Sequence, residues 1–232
     1  MFGPIKTVVF DFDGTLVDTM SSVVAGLTEA VRVGTGRVIP RKELVATFGG
    51  SPLTVLRHWM DEDKIPAAMA AWIEFEQNTG PNEMRPFDGV ADMLESLKKK
   101  GIVMGVFTGR DRSGVLRIAK AQNWIGKYFK EEQIICGDDG FPAKPSGKAL
   151  KHLCEKNNWS FGDLLMVGDH PYDMMAGREV GAKVAAALWD MPEKKGTNRS
   201  RFKEAWDAWN KVDVDLRLDE PKSLARWFES QK

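Results

Sequence analysis

Four short polar clusters in this chain carry side chains able to do chemistry, and each follows an apolar run. The first, Asp11-Phe12-Asp13-Gly14-Thr15, comes directly after Thr7-Val8-Val9-Phe10. Carboxylates two residues apart can project the same way, and Gly14 permits a sharp exit from a strand. The same residues also suit a plain Asp-Gly turn whose aspartates cap a loop. The second, Phe107-Thr108-Gly109-Arg110, offers a hydroxyl and backbone amides at the entrance to a helix, a natural place for a phosphate. A threonine N-cap has the same residues. The third is Lys144 within Ala143-Lys144-Pro145-Ser146, a cation that on its own reads as solvent-exposed. The fourth, Val167-Gly168-Asp169-His170-Pro171-Tyr172-Asp173, presents carboxylates at i and i+4. Such carboxylates, with phosphate and waters, commonly hold Mg²⁺, and a capped turn is the plainer alternative.

Open parallel sheets place their sites at the carboxyl ends of strands, so the clusters call for such a scaffold. Its signature is present. Val90, Met93, Leu94 and Leu97 recur at helical spacing, and Gly101 follows Lys98-Lys99-Lys100 as a stop. Apolar runs at 102–107, 133–136, 164–167, 183–188 and 212–216 alternate with helical stretches at 115–122, 150–156, 174–180 and 224–228. This alternation predicts a mostly parallel sheet covered on both faces. Between 18 and 85 the rhythm stops. Val23, Val24, Leu27 and Val31 share one helical face, Ser51 and Pro52 open another helix, and Pro66 opens a third. The expected fold is α/β: a Rossmann-like parallel sheet core, residues 1–17 and 86–232, with a helical cap domain, 18–85, inserted after strand one. The polar stretch 190–203 reads as an exposed connection.

Taken together and in this order, the four clusters resemble the haloacid dehalogenase superfamily over nearly the whole chain, 8–228. Asp11-Phe12-Asp13-Gly14-Thr15-Leu16-Val17-Asp18-Thr19 matches its first motif closely, and Thr108, Lys144 and Gly168-Asp169…Asp173 fit the other three. The inserted helices are similar to the cap of its phosphoglycolate phosphatase-like branch. The resemblance implies a phosphatase in which Asp11 attacks phosphorus and Asp13 moves the protons. It also implies Mg²⁺ held by Asp11, Asp169 and the Asp13 carbonyl, with Asp173 binding the metal or its waters. Lys144 would neutralise charge and orient the nucleophile, while Thr108 and the Gly109 amide hold the phosphoryl oxygens. The dehalogenase branch lacks an aspartate at the place of Asp13, so its presence points to phosphoryl transfer. A phosphomutase of the β-phosphoglucomutase type shares both aspartates. An idle phosphate-binding regulatory protein is the alternative of a different kind, against which the complete motifs count.

Two departures stand out: Arg110 where a lysine is frequent, and His170 where a small polar residue is common. Arg110 is a candidate for substrate. His170 beside a metal ligand is a poor choice for magnesium, which prefers oxygen. Phe48-Gly49-Gly50-Ser51-Pro52-Leu53 resembles the cap loop that reaches into the site, making Gly50 and Ser51 substrate-binding candidates; a glycine turn into a helix is the compatible plain reading. Arg57, His58, Trp59 and Trp72 are cap residues whose roles the sequence leaves open. Phosphoglycolate is the leading substrate by resemblance, with sugar phosphates, nucleoside monophosphates and pyrophosphate open.

Composition adds exclusions. The 232 residues balance 33 basic against 33 acidic side chains, which gives no electrostatic case for nucleic acid or an anionic membrane. No apolar run reaches bilayer length, and the start of the chain lacks the pattern of a signal peptide. Cys136 and Cys154 are isolated, as in a reduced cytoplasmic protein. The expectation is a cytoplasmic enzyme, monomer or homodimer, whose partner is a small phosphorylated metabolite.

Overall fold

The uncharged run Thr7-Val8-Val9-Phe10 forms β1 (Thr7–Phe10), buried on both faces. The computed structural model describes residues 4–48, 51–79, 84–190 and 212–231. After β1 a tight loop leads to β2 (Val17–Asp18), which pairs antiparallel with β3 (Arg85–Pro86). Between these two short strands lie α1 (Met20–Thr35), α2 (Arg41–Val45), α3 (Pro52–Trp59) and α4 (Ile65–Asn78). Ser51 caps α3 by accepting from the Thr54 N–H at 3.3 Å, and Pro52 takes the first helical position, where no N–H is needed. Leu27, Val31, Leu44, Leu56 and Trp72 fill a hydrophobic cluster built from these helices and the loops that join them.

The rest of the chain builds the main sheet. Its strands are β1, β4 (Val103–Phe107), β5 (Ile134–Ile135), β6 (Leu164–Gly168), β7 (Lys183–Ala187) and β8 (Leu216–Leu218), in the order β5-β4-β1-β6-β7-β8. Every neighbouring pair is parallel. Side chains alternate between two layers as the pleat requires. Val8, Phe10, Val106 and Leu165 pack with α5 (Val90–Lys99), α6 (Arg112–Ala121) and a last helix, Pro221–Ser230. Val9, Phe107 and Met166 pack with α7 (Lys148–Asn157) and α8 (Pro171–Glu179). Each fully buried side chain of this kind contributes about 1.5–3 kcal/mol. β1 sits where the strand order reverses, and that is where open α/β sheets leave a crevice.

The α/β reading and the helices inserted after strand one hold. The last strand differs from its expected place at 212–216. Val212 and Val214 instead pack against the second layer, and Asp215 accepts from the Val184 N–H at 2.8 Å before β8 begins. Gln133, expected in the third apolar run, closes a 3₁₀ turn, Glu131–Gln133, leaving β5 only two residues long. Most of the expected connection at 190–203 lies outside the described residues.

Candidate active site

Asp11 is the first residue past β1, and its N–H still donates to the Val167 carbonyl at 2.8 Å. Phe12 then turns into the core with no exposure, which sends Asp13 back to the side of Asp11. Gly14 has φ of +77°, and a Cβ there would stand 2.4 Å from Asp169 Oδ2, so both conformation and space call for glycine. The Thr15 hydroxyl donates to Asp169 Oδ1 at 3.1 Å, and the Thr19 hydroxyl donates to Asp13 Oδ1 at 2.6 Å.

Asp169 lies just beyond β6 and Asp173 in the first turn of α8. With Asp11 they place one oxygen each within 4.8 Å of the others. Lys144, in the loop after β5, puts its Nζ 2.6 Å from Asp11 Oδ1 and 2.6 Å from Asp173 Oδ1. One ammonium thus faces two carboxylates, with Asp169 as a third close by. Burial pushes Asp11 up to about 7, against the pull of Lys144 and with the repulsion of Asp173 added. Asp169 is raised as well, by burial first and then by Asp11 and Asp173. Burial works against the charge of Lys144, but Asp11 and Asp173 outweigh it and hold the amine above its ordinary value. Asp173 Oδ1 is buried, and the Lys144 ammonium at 2.6 Å is the charge set against it. An all-oxygen donor set with unbalanced negative charge fits a hard divalent cation, and these three aspartates could hold one.

Thr108 and Gly109 follow β4. The Thr108 N–H donates to the Ile135 carbonyl at 3.1 Å, and its hydroxyl accepts from the Arg110 N–H at 3.1 Å. Arg110 is placed differently from a side chain reaching into open space. Its side chain is only 2% exposed. Nε donates to both Asp13 oxygens at 3.0 Å, and Nη1 donates to Glu76 of α4. Arg117 supports the same glutamate, with Nη2 3.6 Å from its carboxylate and donating to its backbone carbonyl at 2.7 Å. Burial opposes the Arg110 charge, and Asp13 and Glu76 more than offset it, so its pKa is raised. Burial likewise raises Glu76, with Arg110 opposing.

His170 serves as the N-cap of α8. Its Nδ1 accepts from the Tyr172 N–H at 3.2 Å, while its own N–H donates to Asp173 Oδ2 at 3.0 Å. Burial lowers its pKa, as befits a neutral acceptor. Arg57 pairs with Glu62 at 2.7 Å on the surface, and His58 packs edge-on against Trp59 with ring centres 5.1 Å apart. Cys136 and Cys154 are buried free thiols.

A cavity of about 170 Å³ joins the pieces, lined by Asp11, Asp13, Thr108, Gly109, Arg110, Lys144, Asp169 and Asp173 from the sheet side. Ser51 and Trp72 line it from the inserted helices. Gly50, the other candidate of that loop, lies outside the described residues. Sequence reasoning did not find Thr15, Thr19 or Glu76, nor Trp189, whose Nε1 donates to the Thr15 carbonyl at 3.0 Å. The two threonines lie inside the first motif and were available to it. Glu76 carries no sequence signal, being one of two glutamates in an amphipathic helix. Among the described residues, no helix is long and apolar enough to cross a membrane.

Known proteins resemble this chain. Phosphoglycolate phosphatase of Thiobacillus denitrificans is 32% identical over 85% of this chain and 87% of its own. Pyrophosphatase PpaX of Oceanobacillus iheyensis is 28% identical over 82% of this chain and 86% of its own. A hydrolase structure from Pseudomonas syringae superposes with a TM-score of 0.75, covering 98% of this chain and 99% of that one at 19% identity, a likeness of fold. Residues 8–187 match the family described as haloacid dehalogenase-like hydrolase. The chain therefore belongs to the haloacid dehalogenase-like hydrolases.

Proposed function

We propose that this hydrolase is a Mg²⁺-dependent phosphatase of small phosphomonoesters, working through an acyl phosphate on Asp11. The carrying observation is the clamp of Lys144 on Asp11 and Asp173, each at 2.6 Å, inside a triad of aspartates completed by Asp169. Asp11, Asp169, Asp173 and the Asp13 carbonyl would hold the ion. Bound there, Mg²⁺ supplies the positive charge that lets a carboxylate approach a phosphate dianion. Lys144 aligns the Asp11 carboxylate, and one of its oxygens forms the new bond to phosphorus as the bond to the leaving oxygen breaks. Asp13, held by Thr19 and Arg110, gives its proton to that oxygen. Water then attacks the phosphorus, Asp13 takes its proton, and the bond to Asp11 breaks. The Thr108 hydroxyl and the Gly109 amide steady the equatorial oxygens. In this reading residues 1–17 and 86–232 are the core and 18–85 the cap, a division supported by the separate hydrophobic cluster of α1–α4. The protein works in the cytoplasm on a phosphorylated metabolite, as a monomer or homodimer.

The test is hydrolysis of 4-nitrophenyl phosphate by purified protein. Turnover should need Mg²⁺, stop with chelator, and be undetectable in Asp11→Asn. Activity retained in that variant would exclude the aspartyl-phosphate route.

A further inference from the structure

The roof of the cavity differs sharply from its floor. Met20, Val23, Leu27, Phe48, Val55 and Trp72 face it from the inserted helices. Thr19 and Ser51 are the hydroxyl side chains among the described residues of that wall, and both are engaged: Thr19 donates to Asp13 Oδ1 at 2.6 Å and Ser51 accepts from the Thr54 N–H at 3.3 Å. Every charged side chain lining the cavity, among the described residues, belongs to the sheet side: Asp11, Asp13, Asp169, Asp173, Arg110 and Lys144. Both cations are already engaged twice. Lys144 faces Asp11 and Asp173, and Arg110 faces Asp13 and Glu76. Arg57, the cap cation close in sequence to this wall, turns to Glu62 on the surface.

We infer that the leaving group of the substrate is small, uncharged and apolar, an aryl, aralkyl or alkyl alcohol; this rests on the phosphatase reading above. The phosphoryl group goes to the polar floor, so the alcohol lies against the roof. A second anion there, such as the carboxylate of phosphoglycolate or the distal phosphate of pyrophosphate, would lose its water against Phe48 and Trp72 without gaining a described cation. Desolvating an unpaired charge is strongly unfavourable, whereas covering an apolar group is favourable. The space is limited. A cavity of about 150 Å³ takes one benzene ring, so the 170 Å³ here limits the alcohol to a short chain or at most a single ring.

The measurement compares kcat/KM for benzyl phosphate, propyl phosphate, phosphoglycolate and pyrophosphate, with 4-nitrophenyl phosphate as the reference for phosphatase activity. Benzyl and propyl phosphate leave as primary alkoxides, as phosphoglycolate does, so the comparison reads the wall rather than leaving-group acidity. The apolar esters should exceed phosphoglycolate by about tenfold or more. Affinity is read separately by calorimetry with the non-hydrolysable pair benzylphosphonate and phosphonoacetate, and benzylphosphonate should bind more tightly. Met20→Lys keeps an unbranched side chain but places an amine on the roof, and should shift both ratios toward the anionic member. Preference for phosphoglycolate or pyrophosphate in the unmodified protein overturns the inference while leaving the phosphatase reading intact. Failure to turn over any of the five compounds overturns both.

Discussion

Asp11 and Asp13 are two residues apart, and their surroundings separate their work. Asp11 is gripped by Lys144 and crowded by Asp173, whereas Asp13 accepts from the Thr19 hydroxyl and the Arg110 guanidinium. Asp13→Asn keeps size and the nucleophile but removes both proton transfers, which typically contribute about 10²–10⁴-fold. With an activated aryl phosphate the first step depends less on that proton, so phosphate should accumulate on Asp11 and appear by mass spectrometry after rapid quenching. Its absence under those conditions would remove Asp13 from the assigned role. Asp11, Thr108 and Asp169 were readable because each sits close behind an apolar run, whereas Lys144 comes well after β5 and was legible only alongside them. The partners that hold them were less so. Thr19 reaches Asp13 only because the loop folds back through β2, and Glu76 meets Arg110 across 34 residues of sequence.

The contact between α4 and the loop after β4 rests on a buried ionic chain, Asp13–Arg110–Glu76–Arg117. Removing Glu76 strands a buried guanidinium on one carboxylate, and breaking such a pair typically costs about 3–5 kcal/mol. Glu76→Ala should therefore lower the urea midpoint clearly, and Glu76→Gln less, because an amide oxygen can still accept from Arg110. An unchanged midpoint in both would mean that the pair holds nothing together. Sequence periodicity foretold the helices and the parallel sheet because each side chain there has a layer to face. It was silent on β2 and β3, two residues each, since no period fits so short a span. It misplaced the last strand because Val212 and Val214 are apolar for another reason, packing on the second layer.

Folding gathers carboxylates that the unfolded chain keeps apart, and this sets how the entire protein responds to pH and metal. Asp11 is raised from 3.8 to about 7, by burial first, with Asp173 adding and Lys144 opposing, and Asp169 is raised by burial and by Asp11. A carboxyl whose folded pKa exceeds its unfolded value binds a proton in the native state that the unfolded state has released. Without metal, the Asp11 contribution should therefore make stability fall as pH rises from about 4 to 7 and level off above that window, and the raised Asp169 acts in the same direction. A cation held by the three aspartates would supply the missing positive charge, so saturating Mg²⁺ should raise Tm most at the upper end of the window. At 100 times its Kd, a ligand adds about 2.7 kcal/mol. Asp169→Asn removes one of the crowded charges. Above pH 7 and without metal, it should melt at a higher temperature than the unmodified protein and gain little from Mg²⁺. Melting curves from pH 5 to 8, with chelator and with Mg²⁺, decide the matter. If Mg²⁺ left Tm unchanged across that range in the unmodified protein, the aspartate triad would not be its binding site.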